Sequence, residues 1–184
     1  MRIISGRHRG RKLKRPENYD IRPTSDRARE AVFNSLGTRS QGARVLDLFA
    51  GTGAMGLEAI SRGAKEAIFI DSSPLACRIV EENIRRCREE DVCQVLCLDI
   101  LDIRPLKIPK GPYDLIFMDP PYEQGFLGQV FRLAWFRELM HPDTVIVADH
   151  SIKENPFAEM KGLDILRQKK YSKSFVTFLR NRSI

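Results

Sequence analysis

The sequence predicts the α/β class: a mostly parallel sheet covered by helices on both faces, behind a small basic N-terminal hairpin or arm. Three observations predict it. Short apolar runs of strand length alternate with helical segments from residue 42 onward. A glycine-rich turn follows the first of these runs, and an aspartate stands at or just past the end of four of them. Such strands, apolar on both faces, belong to a sheet whose connections are helices.

Taken in order, residues 2–5 and 11–14, joined across Gly6 and Gly10, form the basic hairpin or arm. Residues 16–23 are a polar connector. Thr24 or Ser25 then caps a helix with Ala28, Ala31, Val32 and Leu36 inward, stopping before Gly37. Residues 44–49 make the first strand, 54–61 a helix, 67–70 the second strand and 74–88 a long helix. Strands follow at 92–98 and 114–118, then a helix over 126–139 and a fifth strand over 144–148. Residues 163–170 and 174–179 close the chain as an antiparallel pair at the sheet edge. The domain division is 1–23 for arm and connector and 24–184 for the α/β domain.

The 184 residues fit one ordinary domain, and 42% hydrophobic with 30% charged residues describes a soluble globular chain. The first residues lack an apolar stretch and the longest apolar runs are strand-sized, so neither signal peptide nor membrane span is expected; the cytoplasm is. Cys77, Cys87, Cys93 and Cys97 form no Cys-x-x-Cys pair and read as reduced thiols in core segments. The three histidines, His8, His141 and His150, are scattered, and no metal site is expected.

Net charge is +7, and its placement carries the information. The first forty residues hold eleven Lys or Arg and four acids, so this segment has the whole chain's excess. Arg2, Arg7, Arg9, Arg11, Lys12, Lys14 and Arg15 come without an intervening acid. A solvated face explains a basic run in an arbitrary protein; this asymmetry also fits binding to a phosphate backbone.

Parallel sheets bind ligands beyond the carboxyl ends of their strands, where Asp47, Asp71, Asp99 and Asp119 stand. Asp47-Leu-Phe-Ala-Gly51-Thr-Gly53-Ala-Met-Gly56 contains G-x-G-x-x-G between a strand and a helix, which alone suggests a nicotinamide dinucleotide. Asp47 argues otherwise, because a carboxylate there repels a pyrophosphate. It suits a ligand bearing ammonium and sulfonium groups, as S-adenosylmethionine does. Asp71 would then accept from ribose hydroxyls, and Asp99 from the adenine amine with Ile100 against the ring. The bland alternative for either acid is a helix cap or surface charge.

Tyr113-Asp-Leu-Ile-Phe-Met-Asp119-Pro120-Pro121-Tyr122 is the sharpest signal. One proline would suffice to end a strand; two fix a rigid turn. The Asp119 carboxylate and the Pro120 carbonyl are two acceptors for the hydrogens of an exocyclic base amine, and Tyr122 offers a face on which a flipped-out base can stack.

The segments Arg22-Pro-Thr-Ser-Asp-Arg-Ala-Arg-Glu30, Phe33-Asn34, Asp47-Leu-Phe-Ala-Gly-Thr-Gly53, Gly56-Leu-Glu58, Ser61-Arg-Gly-Ala64 and Asp119-Pro-Pro-Tyr122 resemble the RsmD family, guanine-N2 methyltransferases of small-subunit (16S) ribosomal RNA. The resemblance covers nearly the whole chain. It implies a Rossmann-like sheet of seven strands, S-adenosylmethionine as donor, and a guanine on an assembled small-subunit particle as substrate; separately, a monomer is expected. It also implies that residues 24–30 pack over the cofactor. It adds Arg22, Thr24, Asp26 and Arg29 to the functional residues, and puts Phe49, Ala50, Gly51, Gly53 and Ser72 with Asp47, Asp71, Asp99, Ile100 and Asp119 around the cofactor. Two positions depart from the pattern: Asp149, where glutamate is frequent, and Tyr171-Ser172, where Tyr-Gly is common. Three activities compete: amine methylation of a base in nucleic acid (guanine N2, or adenine N6 or cytosine N4), nicotinamide-dependent oxidation, and RNA binding without catalysis. Removing residues 2–15 is expected to weaken RNA binding and spare cofactor affinity.

Overall fold

A computed structural model describes residues 1–16, 26–102, 108–157 and 162–182. Arg22 and Thr24, the capping residue of the first helix and most of the connector lie outside them.

The strands are β1 (Arg44–Leu48), β2 (Glu66–Asp71), β3 (Cys93–Cys97), β4 (Tyr113–Met118), β5 (Met140–Ser151), β6 (Leu163–Tyr171) and β7 (Ser174–Asn181). They form one seven-stranded sheet in the order β3-β2-β1-β4-β5-β7-β6. β1 to β5 run parallel, and β7 lies antiparallel to both β5 and β6. The chain travels outward from β1 to β3 and then returns to the other side of β1 as β4. Two neighbouring strands whose connections depart in opposite directions leave a crevice between their carboxyl ends. Here that crevice lies between β1 and β4.

Helices α1 (Asp26–Leu36), α2 (Ala54–Ser61), α3 (Pro74–Cys87) and α4 (Phe126–Arg132) cover the sheet. Strand side chains alternate between the faces. Val45, Phe69, Leu115, Phe117 and Val147 pack with α1, α2, α3 and the N-terminal segment. Leu46, Leu48, Ile70, Ile116, Met118 and Ile146 pack with α4 and the turn behind it. α3 shows the usual start and stop: Pro74 at its first position, the Ser73 hydroxyl accepting from Ala76 N at 3.3 Å, and Arg88 at φ 58 after its last turn.

Three elements differ from the sequence expectation. Residues 126–139 are not one helix: the chain is extended at Leu133 (ψ 115) and resumes as a 3-10 turn over Ala134–Leu139, where Phe136 packs edge-on against Phe131 and Trp135. The fifth strand runs to twelve residues: β7 pairs along it from Val145 to Ser151, and Met140 at its start pairs with Tyr113 of β4. In α1 the inward residues are Arg29, Val32, Phe33 and Leu36, while Ala28 and Ala31 are only half-buried.

Arg29 is buried because the N-terminal segment covers it. That segment is a narrow hairpin, with Arg2 bridging Lys12 and Ile3 N donating to Arg11 O at 3.0 Å. It is docked rather than free. Ile3 and Leu13 belong to the same core as α1 and α2. Beneath it Glu58, fully buried, accepts from Ile4 N at 2.7 Å, Ser5 N at 3.0 Å and Arg62 Nε at 2.8 Å, with Arg29 Nε 3.7 Å away. Arg29 also reaches Asp26 Oδ1 at 2.9 Å and the Arg2 carbonyl. Burial of these charges is tolerated because each faces an opposite charge and backbone partners. The cysteines are unpaired, and Cys97 is exposed rather than in the core.

Candidate active site

The glycine turn at the end of β1 is held open from both sides. Ala50 N donates to Ile70 O at 2.9 Å, and Gly51 N donates to Asp71 Oδ2 at 2.8 Å. Phe49 and Gly51 take φ 61 and 56, the left-handed region that costs most residues about 1–2 kcal/mol. A methyl group added at Gly51 would meet no side chain within 4 Å, so this part of the turn faces open space. Gly56 is the opposite case: a methyl there would lie 2.3 Å from the Phe69 ring and 3.2 Å from Asp47 Oδ2. Only glycine lets α2 approach β2 this closely.

Asp47 points under that helix. Its Oδ2 accepts from Gly56 N at 2.9 Å, and the residue is 3% exposed. Burial raises its pKa well above the usual carboxylate range. The Gly56 amide opposes this, while the negative charges of Asp119 and Asp71 add to it. Three carboxylates therefore gather around the β1–β4 crevice with no cation among the described residues to balance Asp47, which suits a positively charged ligand. No group of three or more His, Cys, Asp or Glu among the described residues is placed to hold a metal ion.

The remaining expected cofactor residues divide. Asp71 Oδ1 accepts from Ser73 N at 2.9 Å, and Ser72 is exposed beside it. Phe49 and Ala50 are half-buried; the Phe49 ring lies 5.7 Å from that of Phe126 at the start of α4. Gly53, at φ 73, precedes α2. Asp99 is exposed and accepts from Leu101 N at 2.9 Å, whereas Ile100 is buried in the core on the α4 face. Asp26 and Arg29 join α1 to the N-terminal hairpin.

Asp119 is exposed one residue past β4, Pro120 is buried, and Pro121 is exposed. Tyr122 is 42% exposed, and its hydroxyl donates to Asp149 Oδ1 at 2.8 Å. Burial of the hydroxyl pushes the Tyr122 pKa up, with the charges of Asp149 and Asp119 contributing, so it stays a neutral donor. Asp149 is the residue that sequence reasoning missed. The available signal was a parallel between the runs Leu115-Ile-Phe-Met-Asp119 and Val145-Ile-Val-Ala-Asp149, four apolar residues and an aspartate on two adjacent strands.

The basic residues of the hairpin separate into two sets. Arg7 pairs with Glu89 at 2.7 Å, Lys14 with Glu82 at 2.5 Å and Arg2 with Asp26 at 3.7 Å, and Arg11 reaches the Arg86 carbonyl. Arg9, Lys12 and Arg15 are exposed with no ion-pair partner among the described residues. The hairpin also touches the glycine turn through Asn83, whose Nδ2 donates to Lys14 O at 3.1 Å and Thr52 O at 2.9 Å.

Comparison with known proteins places the chain. The family model described as Conserved hypothetical protein 95 matches residues 1–180. YlbH of Bacillus subtilis is 34% identical over 184 residues, covering 99% of this chain and 100% of that protein. Ribosomal RNA small subunit methyltransferase D of Haemophilus influenzae is 31% identical over 173 residues, 92% of this chain and 88% of its own. The solved structure of yhhF from Escherichia coli superposes with a TM-score of 0.86 at 28% identity, covering 99% of this chain and 98% of that one. Matched along its length by that family model and by these relatives, the chain belongs to the RsmD family.

Proposed function

We propose that this protein transfers a methyl group from S-adenosylmethionine to the exocyclic N2 amine of a guanine in small-subunit ribosomal RNA. The observation that carries the reading is the crevice between β1 and β4, which sets the glycine turn with Asp47 on one side and Asp119-Pro120-Pro121-Tyr122 on the other. The name of the Haemophilus influenzae relative supports ribosomal RNA as substrate.

When bound, S-adenosylmethionine supplies an electrophilic methyl group on a sulfonium. The residues here fit it: a buried Asp47 carboxyl whose ionised form the ligand's positive groups would stabilise, an open Gly51 for close backbone approach, and Asp71 for the ribose hydroxyls. Phe49, Ala50, Gly53, Ser72 and Asp99 are further candidates for contact with the cofactor. Asp119 and the Pro120 carbonyl accept from the two N–H groups of the target amine, turning its lone pair toward the methyl carbon. Tyr122, anchored by Asp149, stacks the extruded base. With the donor bound, the amine nitrogen held by Asp119 and Pro120 would take the methyl, S-adenosylhomocysteine would be the leaving group, and the methylated amine would lose its extra proton to solvent. Positioning and electrostatics supply the rate. Arg9, Lys12 and Arg15 hold the RNA backbone, with Arg2, Arg7, Arg11 and Lys14 at its flank; the substrate is an assembled particle and the enzyme a monomer.

A dinucleotide fits worse, because its pyrophosphate would meet the Asp47, Asp71 and Asp119 charges. Calorimetric titration should give saturable binding of S-adenosylmethionine and none of NADH; the reverse result would sink the reading. Asp119→Ala should keep cofactor binding and lose transfer by about 10²-fold or more.

A further inference from the structure

The Asp-Pro-Pro-Tyr turn clamps an amine but leaves the choice of base open, since guanine, adenine and cytosine all carry one. The neighbouring strand supplies what is missing. Leu115 to Met118 pair in parallel register with Val145 to Ala148, so Asp119 and Asp149 each stand one residue past the last paired position. Side chains in register on adjacent parallel strands point to the same face, with backbones about 5 Å apart. The register thus sets the two aspartates at neighbouring strand ends, and Tyr122 relates them: its hydroxyl is 2.8 Å from Asp149 Oδ1, and Asp119 lies close enough to act on it electrostatically.

The three bases differ at the ring atom beside the target amine. Guanine presents N1–H, a donor; adenine beside its N6 amine and cytosine beside its N4 amine each present a bare nitrogen lone pair. A carboxylate at that position bonds the first and repels the other two. We infer that Asp149 is the specificity-determining residue of the site, accepting the N1–H of guanine while Asp119 and the Pro120 carbonyl hold the N2 amine. The inference rests on the proposed activity and supplies the base choice that the turn alone does not. Donation from Tyr122 orients the Asp149 carboxylate and fixes the stacking ring in one step. Burial raises the Asp149 pKa on balance, and the hydroxyls of Tyr122 and Ser174 with the His150 amide oppose that shift.

The test replaces the guanine methylated by the wild-type protein with 2-aminopurine in small-subunit particles rebuilt from ligated RNA. 2-Aminopurine keeps the amine at position 2 but carries a lone pair at N1. The wild-type protein should prefer guanine by about 10²-fold or more in kcat/KM. Asp149→Asn, which offers an amide donor, should bring the two substrates within about tenfold of each other, mainly through loss on guanine. Tyr122→Phe removes the same hydrogen bond but keeps the carboxylate; it should slow both substrates and preserve the preference. The ratio is internal to each variant, so partial loss of folded protein cancels. Equal use of both bases by the wild-type protein, an unchanged ratio in Asp149→Asn, or an equal collapse in Tyr122→Phe would overturn the inference. Absence of transfer to either base would overturn the proposed activity itself.

Discussion

Asp47 sits where its ionised form is costly to the folded chain: buried, and near two further carboxylates. Its pKa is raised on folding, so ionisation favours the unfolded chain once pH exceeds the unfolded value near 4. Asp47→Asn keeps an acceptor for the Gly56 amide and removes the charge. It should therefore raise the melting temperature at pH 7, with the gain disappearing as pH falls through 4, and it should abolish S-adenosylmethionine binding. Thermal melts across pH with parallel calorimetry check both; a variant less stable at pH 7 would contradict the account. At this scale much was legible, because an aspartate after an apolar run marks the end of a parallel strand wherever the run appears. The pairing of Tyr122 with Asp149 was not, since it depends on which strands become neighbours and in what register. The same holds for Ile100, whose core contacts come from the far face of the sheet.

The N-terminal hairpin is the element whose meaning changed most. Its charges suggested a separable arm, yet Ile3 and Leu13 are core residues and Glu58 spends two acceptor sites on hairpin amides. Removing residues 2–15 would expose α2 and leave Glu58 and Arg29 without their backbone partners, so stability and cofactor binding should fall together with RNA binding. Glu58→Gln should cost about 3–5 kcal/mol, because it leaves buried Arg29 without its fully buried counter-charge. For a chain of this size that is a melting-temperature loss of roughly 10 °C; a shift below about 2 °C would show that the pair is dispensable. A change of opposite sign is expected at the turn between β6 and β7, where Ser172 holds φ 49. Ser172→Gly should stabilise by about 1 kcal/mol, read as a higher melting temperature. Among the described residues the sequence pattern located the seven strands and the helices α1 to α3 to within a few residues, but not the 3-10 turn over Gly37–Ser40 or the break at Leu133. No glycine or proline marks that break; packing of Trp135 and Phe136 decides it.

Across the whole molecule, the excess positive charge lies in the first forty residues. The hairpin docks through Lys14 on Glu82 of α3 and through Arg7 on Glu89 just past it, and Arg9, Lys12 and Arg15 are exposed to solvent. Each cation that contacts a phosphate steepens the salt dependence of binding by about one unit in the log–log slope. Changing Arg9, Lys12 and Arg15 together to Ala should flatten the slope for RNA binding by about three, while Arg7→Ala should leave it nearly unchanged and act on stability. The fold ties this surface to the crevice, since Asn83 links Lys14 of the hairpin to Thr52 of the glycine turn. No helix among the described residues is long and apolar enough to cross a membrane. The most direct test of the central claim is methyl transfer from labelled S-adenosylmethionine to unmethylated small-subunit particles, with the RNA digested and the labelled nucleoside identified by mass spectrometry. The account predicts label in N2-methylguanosine; label in another nucleoside, or none while cofactor binding is confirmed, would contradict it.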